Sequence, residues 1–171
     1  LRIYLYHIPP VAQVGLSIKL IERLLQAYPQ VIAGIKDSSG DWDNTAALLN
    51  EDWDDFRVFA GSETFLLRTL RAGGAGCISA TANINPAAID RLYREWQSDS
   101  ADAQQQSLND LRNLLQKHPM IAALKTVVAH FTDDPQWAAV RPPLVPLAGD
   151  KRSLLLDDLR DMGFEMPGLA G

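Results

Sequence analysis

Residues 31–41 read VIAGIKDSSGD. Four apolar residues and a glycine run directly into Lys36, and a polar turn containing Gly40 follows at once. A short apolar run closed by turn residues predicts a buried strand over residues 31–36, with Lys36 at its C-terminal tip. Lysine carries a compact, strongly hydrated charge and is rarely buried without compensation. Its place at the end of a core strand therefore asks for a chemical use.

The same alternation surrounds this strand on both sides. Residues 2–6 (RIYLY) are β-branched and aromatic, with Pro9-Pro10 as their stop. Ser17 starts a helix to about Tyr28, with Ile18, Ile21, Leu24 and Leu25 on one face. Asp41 caps a helix to about Glu51. Residues 56–60 (FRVFA) form a third strand, and Ser62 caps a helix that Gly73-Gly74 end. A short fourth strand, 76–79 (GCIS), leads to a helix over 87–97 after Pro86. Four strand–helix units in a row require a parallel sheet covered by helices. Further helices are expected over 101–117, 119–131 and 151–162, with a Pro-rich loop at 141–150. The expected organisation is four βα units over 1–98 and a helical extension over 99–171.

Composition narrows the function classes. The chain has 171 residues, a net charge of -5 and no run of Lys or Arg, which argues against nucleic acid or an anionic membrane as its main partner. No stretch nears the roughly 18 apolar residues of a membrane span. The single Cys77 excludes an internal disulfide framework and fits a reducing, cytoplasmic setting. No signal peptide opens the chain, which begins without Met inside a strand-like run, as though cut from something longer.

Tyr6, Lys36, Gly61 and Ser79 each fall at the C-terminal end of one expected strand. In parallel α/β proteins that edge gathers the loops that carry active sites. Desolvation disfavours an ammonium, and a neutral lysine amine is a nucleophile that forms a Schiff base with a ketone. Tyr6, one strand earlier, is placed to shuttle protons. The plainer reading of a strand-end lysine is one that snorkels its charge to water. Lys125, in IAALKTVV, is a rival nucleophile, but its helical setting suits a snorkelling or supporting role better. His7, His118 and His130 lack metal-ligand spacing, no G-x-S-x-G occurs, and AGGAG (72–76) ends a helix rather than starting one. Neither a metal nor a cofactor is expected. Ser38 and Ser39 read as turn and capping residues, Trp42 and Trp96 as packing aromatics.

YLYHIPP, GIKDSSGD, FAGSE and GGAGCISATANINP, in this order, resemble motifs of the dihydrodipicolinate synthase / N-acetylneuraminate lyase family of pyruvate-dependent class I aldolases. The family forms are Y-N-x-P, G-[IL]-K-x-[AST]-[ST]-G, a strand ending G-x-[DE], and G-x-x-G-x-[IG]-S; LKTVVAHF is similar to the lyase branch. The resemblance implies that Lys36 is the Schiff-base lysine and Tyr6 the proton relay. It also implies that Gly61, Ile78 and Ser79 line the pyruvate pocket, with Ser62 and Glu63 able to hydrogen-bond substrate hydroxyls. It implies an eight-stranded (β/α)8 barrel with added C-terminal helices in a homo-oligomer, of which this chain supplies the C-terminal half. The Thr-Thr motif that grips the pyruvate carboxylate, and the tyrosine supplied by a neighbouring subunit, belong to the other half and have no match here. His7 replaces the usual Asn. Val11 stands where the synthase branch carries an arginine for a substrate carboxylate, which points to another substrate. Two classes stay open: a lyase or aldolase acting on pyruvate and a keto acid or aldehyde, inactive as this half alone, and a non-catalytic half-barrel or interaction module.

Overall fold

The computed structural model describes residues 1–166. Four strands, β1 (Ile3–His7), β2 (Ile32–Asp37), β3 (Arg57–Ala60) and β4 (Gly76–Cys77), form one parallel sheet in the order β1-β2-β3-β4. Between them run α1 (Pro9–Ala12), α2 (Ile18–Ala27), α3 (Trp42–Leu49) and α4 (Leu66–Arg71). The chain continues through α5 (Pro86–Glu95), α6 (Ala101–Leu115), α7 (Met120–Phe131) and α8 (Gly149–Asp161). The expected α/β succession of four strand–helix units is present.

Two compact units share the chain. The first comprises Leu1–Ala80 with Asp90–Gln105, the second Thr81–Ile89 with the described residues from Gln106 onward. In the first, Leu5, Ile35 and Val58 are register partners across β1, β2 and β3. Their common face packs on Ile21 of α2 and Leu48 of α3. Ile21 and Ile35 are wholly buried, and each contributes about 1.5–3 kcal/mol of hydrophobic stabilisation. Alternation sends Tyr4, Tyr6, Lys36 and Phe59 to the opposite face. There Tyr4 meets Phe59 edge-to-face at 5.8 Å between ring centres, across the side-chain-free Gly34.

In the second unit, α7 buries Ala122, Ala123, Leu124 and Val127. Ala123, Leu124 and Val127 share a core with Leu111, Leu114 and Leu115 of α6 and Leu155 and Leu159 of α8. Among the described residues no helix is long and apolar enough to cross a membrane.

Several local expectations are redrawn. Pro9-Pro10 do more than end β1: they occupy the first positions of α1, where a missing N–H costs nothing. The helix expected from Ser62 opens as a 3-10 turn, Glu63–Phe65, before α4 begins. β4 is two residues long, with Gly76 at φ +134° as its first residue and a second 3-10 turn starting at Ala80. Ser17, Asp41 and Ser62 all accept a backbone N–H with their side chains, as N-caps do.

Candidate active site

Tyr6 and Lys36 are register partners on β1 and β2 and project from the same face of the sheet. The Lys36 ammonium donates to Tyr6 Oη at 3.1 Å and lies 4.1 Å from the ring centroid. Tyr6 is half exposed. The hydrogen bond from Lys36 is the main influence drawing its hydroxyl below the usual value of 10.0. Burial pulls the other way, and a Ser38 hydrogen bond and the Lys36 charge reinforce the lowering. A lysine nitrogen and an acidified phenol thus share one open face, one able to attack a carbonyl and the other to pass protons beside it.

The next residue on each strand points the other way, toward the helices, and is buried. His7 and Asp37 are themselves register partners. His7 Nδ1 accepts from the Leu16 N–H at 2.9 Å, which closes the loop carrying α1 and Val11. Asp37 Oδ2 accepts from Thr45 Oγ1 at 2.6 Å and Asn44 Nδ2 at 3.0 Å, while Oδ1 accepts from the Ser39 N–H at 3.0 Å. The turn after Lys36 is also tied through its backbone. Ser38 N–H donates to the His7 carbonyl, and the Asp37 carbonyl accepts from the Gly61 N–H, both at 2.7 Å.

Gly61 sits where β3 passes closest to this turn. A Cβ there would meet the Ser38 side chain, and would lie 2.7 Å from the Asp37 carbonyl and 2.8 Å from Ser38 Cα. Ser62 Oγ is engaged by the Thr64 N–H and hydroxyl. Glu63 is almost wholly buried, and its carboxylate accepts the Ser79 hydroxyl. Its backbone carbonyl accepts from Gln105 Nε2 at 3.0 Å. Burial, with Glu63 adding to it, pushes the Cys77 thiol up to about 12.

Of the residues singled out in the sequence, Tyr6 is thus paired with Lys36, and Glu63 with Ser79. Gly61 packs on the turn between those pairs, and Ile78 is exposed just beyond β4. Val11 lies on α1, 74% exposed. The rival Lys125 belongs to the second unit, its ammonium 5.7 Å from the centre of the Trp137 ring. The tie from Asp37 to Asn44 and Thr45 escaped the sequence reading. Its signal was an acidic residue seven and eight positions before an Asn-Thr pair, legible only once α3 folds back on the strand end. Ser39 does serve the turn, accepting from the Asp41 N–H at 3.1 Å, and Ser38 ties it to β1 through the His7 carbonyl.

The model of the dihydrodipicolinate synthetase family matches residues 1–162. An uncharacterized DapA-like lyase of Chloroflexus aurantiacus is 33% identical over 158 residues, covering 90% of this chain and 51% of that protein. Dihydrodipicolinate synthase from Agrobacterium tumefaciens superposes with a TM-score of 0.80 at 35% identity, over 94% of this chain and 54% of that one. YagE of E. coli K12, a prophage protein of the dihydrodipicolinic acid synthase family solved with pyruvate, gives a TM-score of 0.84 at 25% identity, over 95% and 56%. The chain spans about half the length of the relatives it matches, and its strand–helix units correspond to half of their TIM barrel.

Proposed function

The chain belongs to the dihydrodipicolinate synthetase family, and from that membership we propose that it carries the Schiff-base centre of a lyase acting on pyruvate or another 2-keto acid. The observation that carries the reading is the Lys36–Tyr6 pair, 3.1 Å apart on one face at the C-terminal edge of a parallel sheet. Lys36, as the free amine, forms a C–N bond to C2 of the keto acid, and the carbonyl oxygen leaves as water. Tyr6 gives the proton that this departure needs and later takes one back, a task suited to a hydroxyl drawn below 10.0. The imine then accepts the electron pair of the C3–C4 bond on cleavage, or the derived enamine supplies it on condensation. That the solved YagE structure holds pyruvate supports the choice of keto acid.

Val11 directs the second substrate. Arginine grips a carboxylate through two parallel hydrogen bonds, and valine offers neither charge nor donor. The acceptor is therefore a neutral-tailed aldehyde, or the substrate a keto-deoxy sugar acid, rather than aspartate semialdehyde. In the protein as its gene encodes it, kcat/KM for releasing pyruvate from at least one keto-deoxy sugar acid should exceed that for condensing pyruvate with the semialdehyde. Lys36→Ala should abolish both reactions. A preference for the semialdehyde would remove Val11 as the specificity determinant, and activity surviving in Lys36→Ala would remove the Schiff base. The working form is a cytoplasmic homo-oligomer, in keeping with the family. A second reading, a non-catalytic half-barrel that binds through its open sheet face, draws on the exposure of Tyr4, Tyr6 and Ile78. Pyruvate turnover by the encoded protein would eliminate it.

A further inference from the structure

The helix-side face of the sheet is apolar through Leu5, Ile35 and Val58. It turns polar only at the last position of β1 and β2, where His7 and Asp37 are buried beside each other. A buried carboxylate is costly unless fully hydrogen-bonded, and an apolar side chain would serve packing better. What Asp37 provides that no hydrophobe could is direction. Its carboxylate binds three neutral donors, Ser39 N–H, Asn44 Nδ2 and Thr45 Oγ1, all on the turn and the first part of α3. Its carbonyl holds the Gly61 N–H of the β3 end, and its neighbour Ser38 holds the His7 carbonyl of β1. Of the two residues flanking Asp37, Lys36 donates to the Tyr6 hydroxyl at 3.1 Å, and Ser38 adds to the pull that draws that hydroxyl below its usual value.

We propose that Asp37 is a positioning residue: from behind the sheet it fixes the turn that holds Lys36 on Tyr6. The catalytic consequence rests on the Schiff-base reading above; the geometric one does not. Asp37 touches no reacting atom, since its side chain leaves the strand on the face opposite Lys36. Loss of its carboxylate frees α3 from the strand end, and the displacement reaches the pair through one peptide bond on each side.

Two substitutions test this from opposite ends of the same bond: Asp37→Asn, which puts an amide where two donors converge, and Thr45→Val, which removes the 2.6 Å donor and keeps the shape. The first readout is the ultraviolet titration of Tyr6, isolated by subtracting Tyr6→Phe. Both variants should move its midpoint up toward 10. The second is turnover well below each variant's melting temperature, where kcat should fall about 10- to 100-fold with KM little changed. If Asp37→Asn does not fold, Thr45→Val alone decides. A lower melting temperature with the Tyr6 midpoint unmoved and kcat within about twofold would reduce Asp37 to a stabilising residue and overturn the proposal. An unmutated protein with no Lys36-dependent activity, but with the Tyr6 shift in both variants, would sink the Schiff-base reading and uphold the positioning.

Discussion

A hydrogen bond from an ammonium stabilises a phenolate more than a phenol, which is why Lys36 draws the Tyr6 hydroxyl below its usual value of 10.0. Lys36→Met should return the Tyr6 midpoint upward in an ultraviolet titration; no movement would mean that the pair does not persist in solution. The linkage has a definite sign. Because the folded value lies below the unfolded one, the stabilisation is fully present above pH 10 and is lost as pH falls through the lowered value. The stability difference between the wild type and Tyr6→Phe should therefore widen as pH rises through that window, as urea melts at successive pH values would reveal. The same substitution removes one hydroxyl and little volume, so the fold should survive. Turnover should drop about 10²- to 10⁴-fold if the hydroxyl relays protons. A drop of less than about threefold would leave Tyr6 a packed strand aromatic.

At the level of elements, the strand ends were the most legible feature of the sequence. An apolar run followed by a polar turn has one physical meaning, and it brought Tyr6 and Lys36 to adjacent positions before any contact was known. What stayed hidden was set by partners distant in sequence. Ser62 read as a helix cap and does cap the turn at Thr64, whereas the pairing of the Glu63 carboxylate with the Ser79 hydroxyl from beyond β4 had no sequence signal. Gly61 read as part of a pocket lining, while its fit against the Asp37 carbonyl and Ser38 Cα is a matter of close backbone approach. Gly61→Ala should consequently destabilise the protein by about 1–3 kcal/mol, visible as an earlier urea midpoint; an unchanged midpoint would mean the turn yields freely. β4 offers a second check. With its thiol pushed up to about 12, mainly by burial, Cys77 should resist iodoacetamide at pH 8 in the native protein and react in urea. Rapid native alkylation would contradict the packing around β4.

On the scale of the whole molecule, one face of the sheet carries α2 and α3 while the other presents Tyr4, Tyr6, Phe59 and Ile78, with Tyr4 42% and Ile78 45% exposed. Parallel sheets are ordinarily covered on both faces, and the 171-residue chain on its own should therefore self-associate at micromolar concentration. Sedimentation velocity giving a single monomeric species would argue that the open face is stable in water. The family resemblance was legible because four motifs occur in order with the strand period, and the fold bears it out. The roles of the residues in those motifs are where chemistry must speak. The most direct question is whether Lys36 is the nucleophile. The protein as encoded, incubated with pyruvate and borohydride and then digested, should carry a reduced adduct on the peptide containing Lys36, and none after Lys36→Ala. An adduct on Lys125 instead, or no adduct while the protein still turns over a keto acid, would contradict the Schiff-base centre assigned to β2.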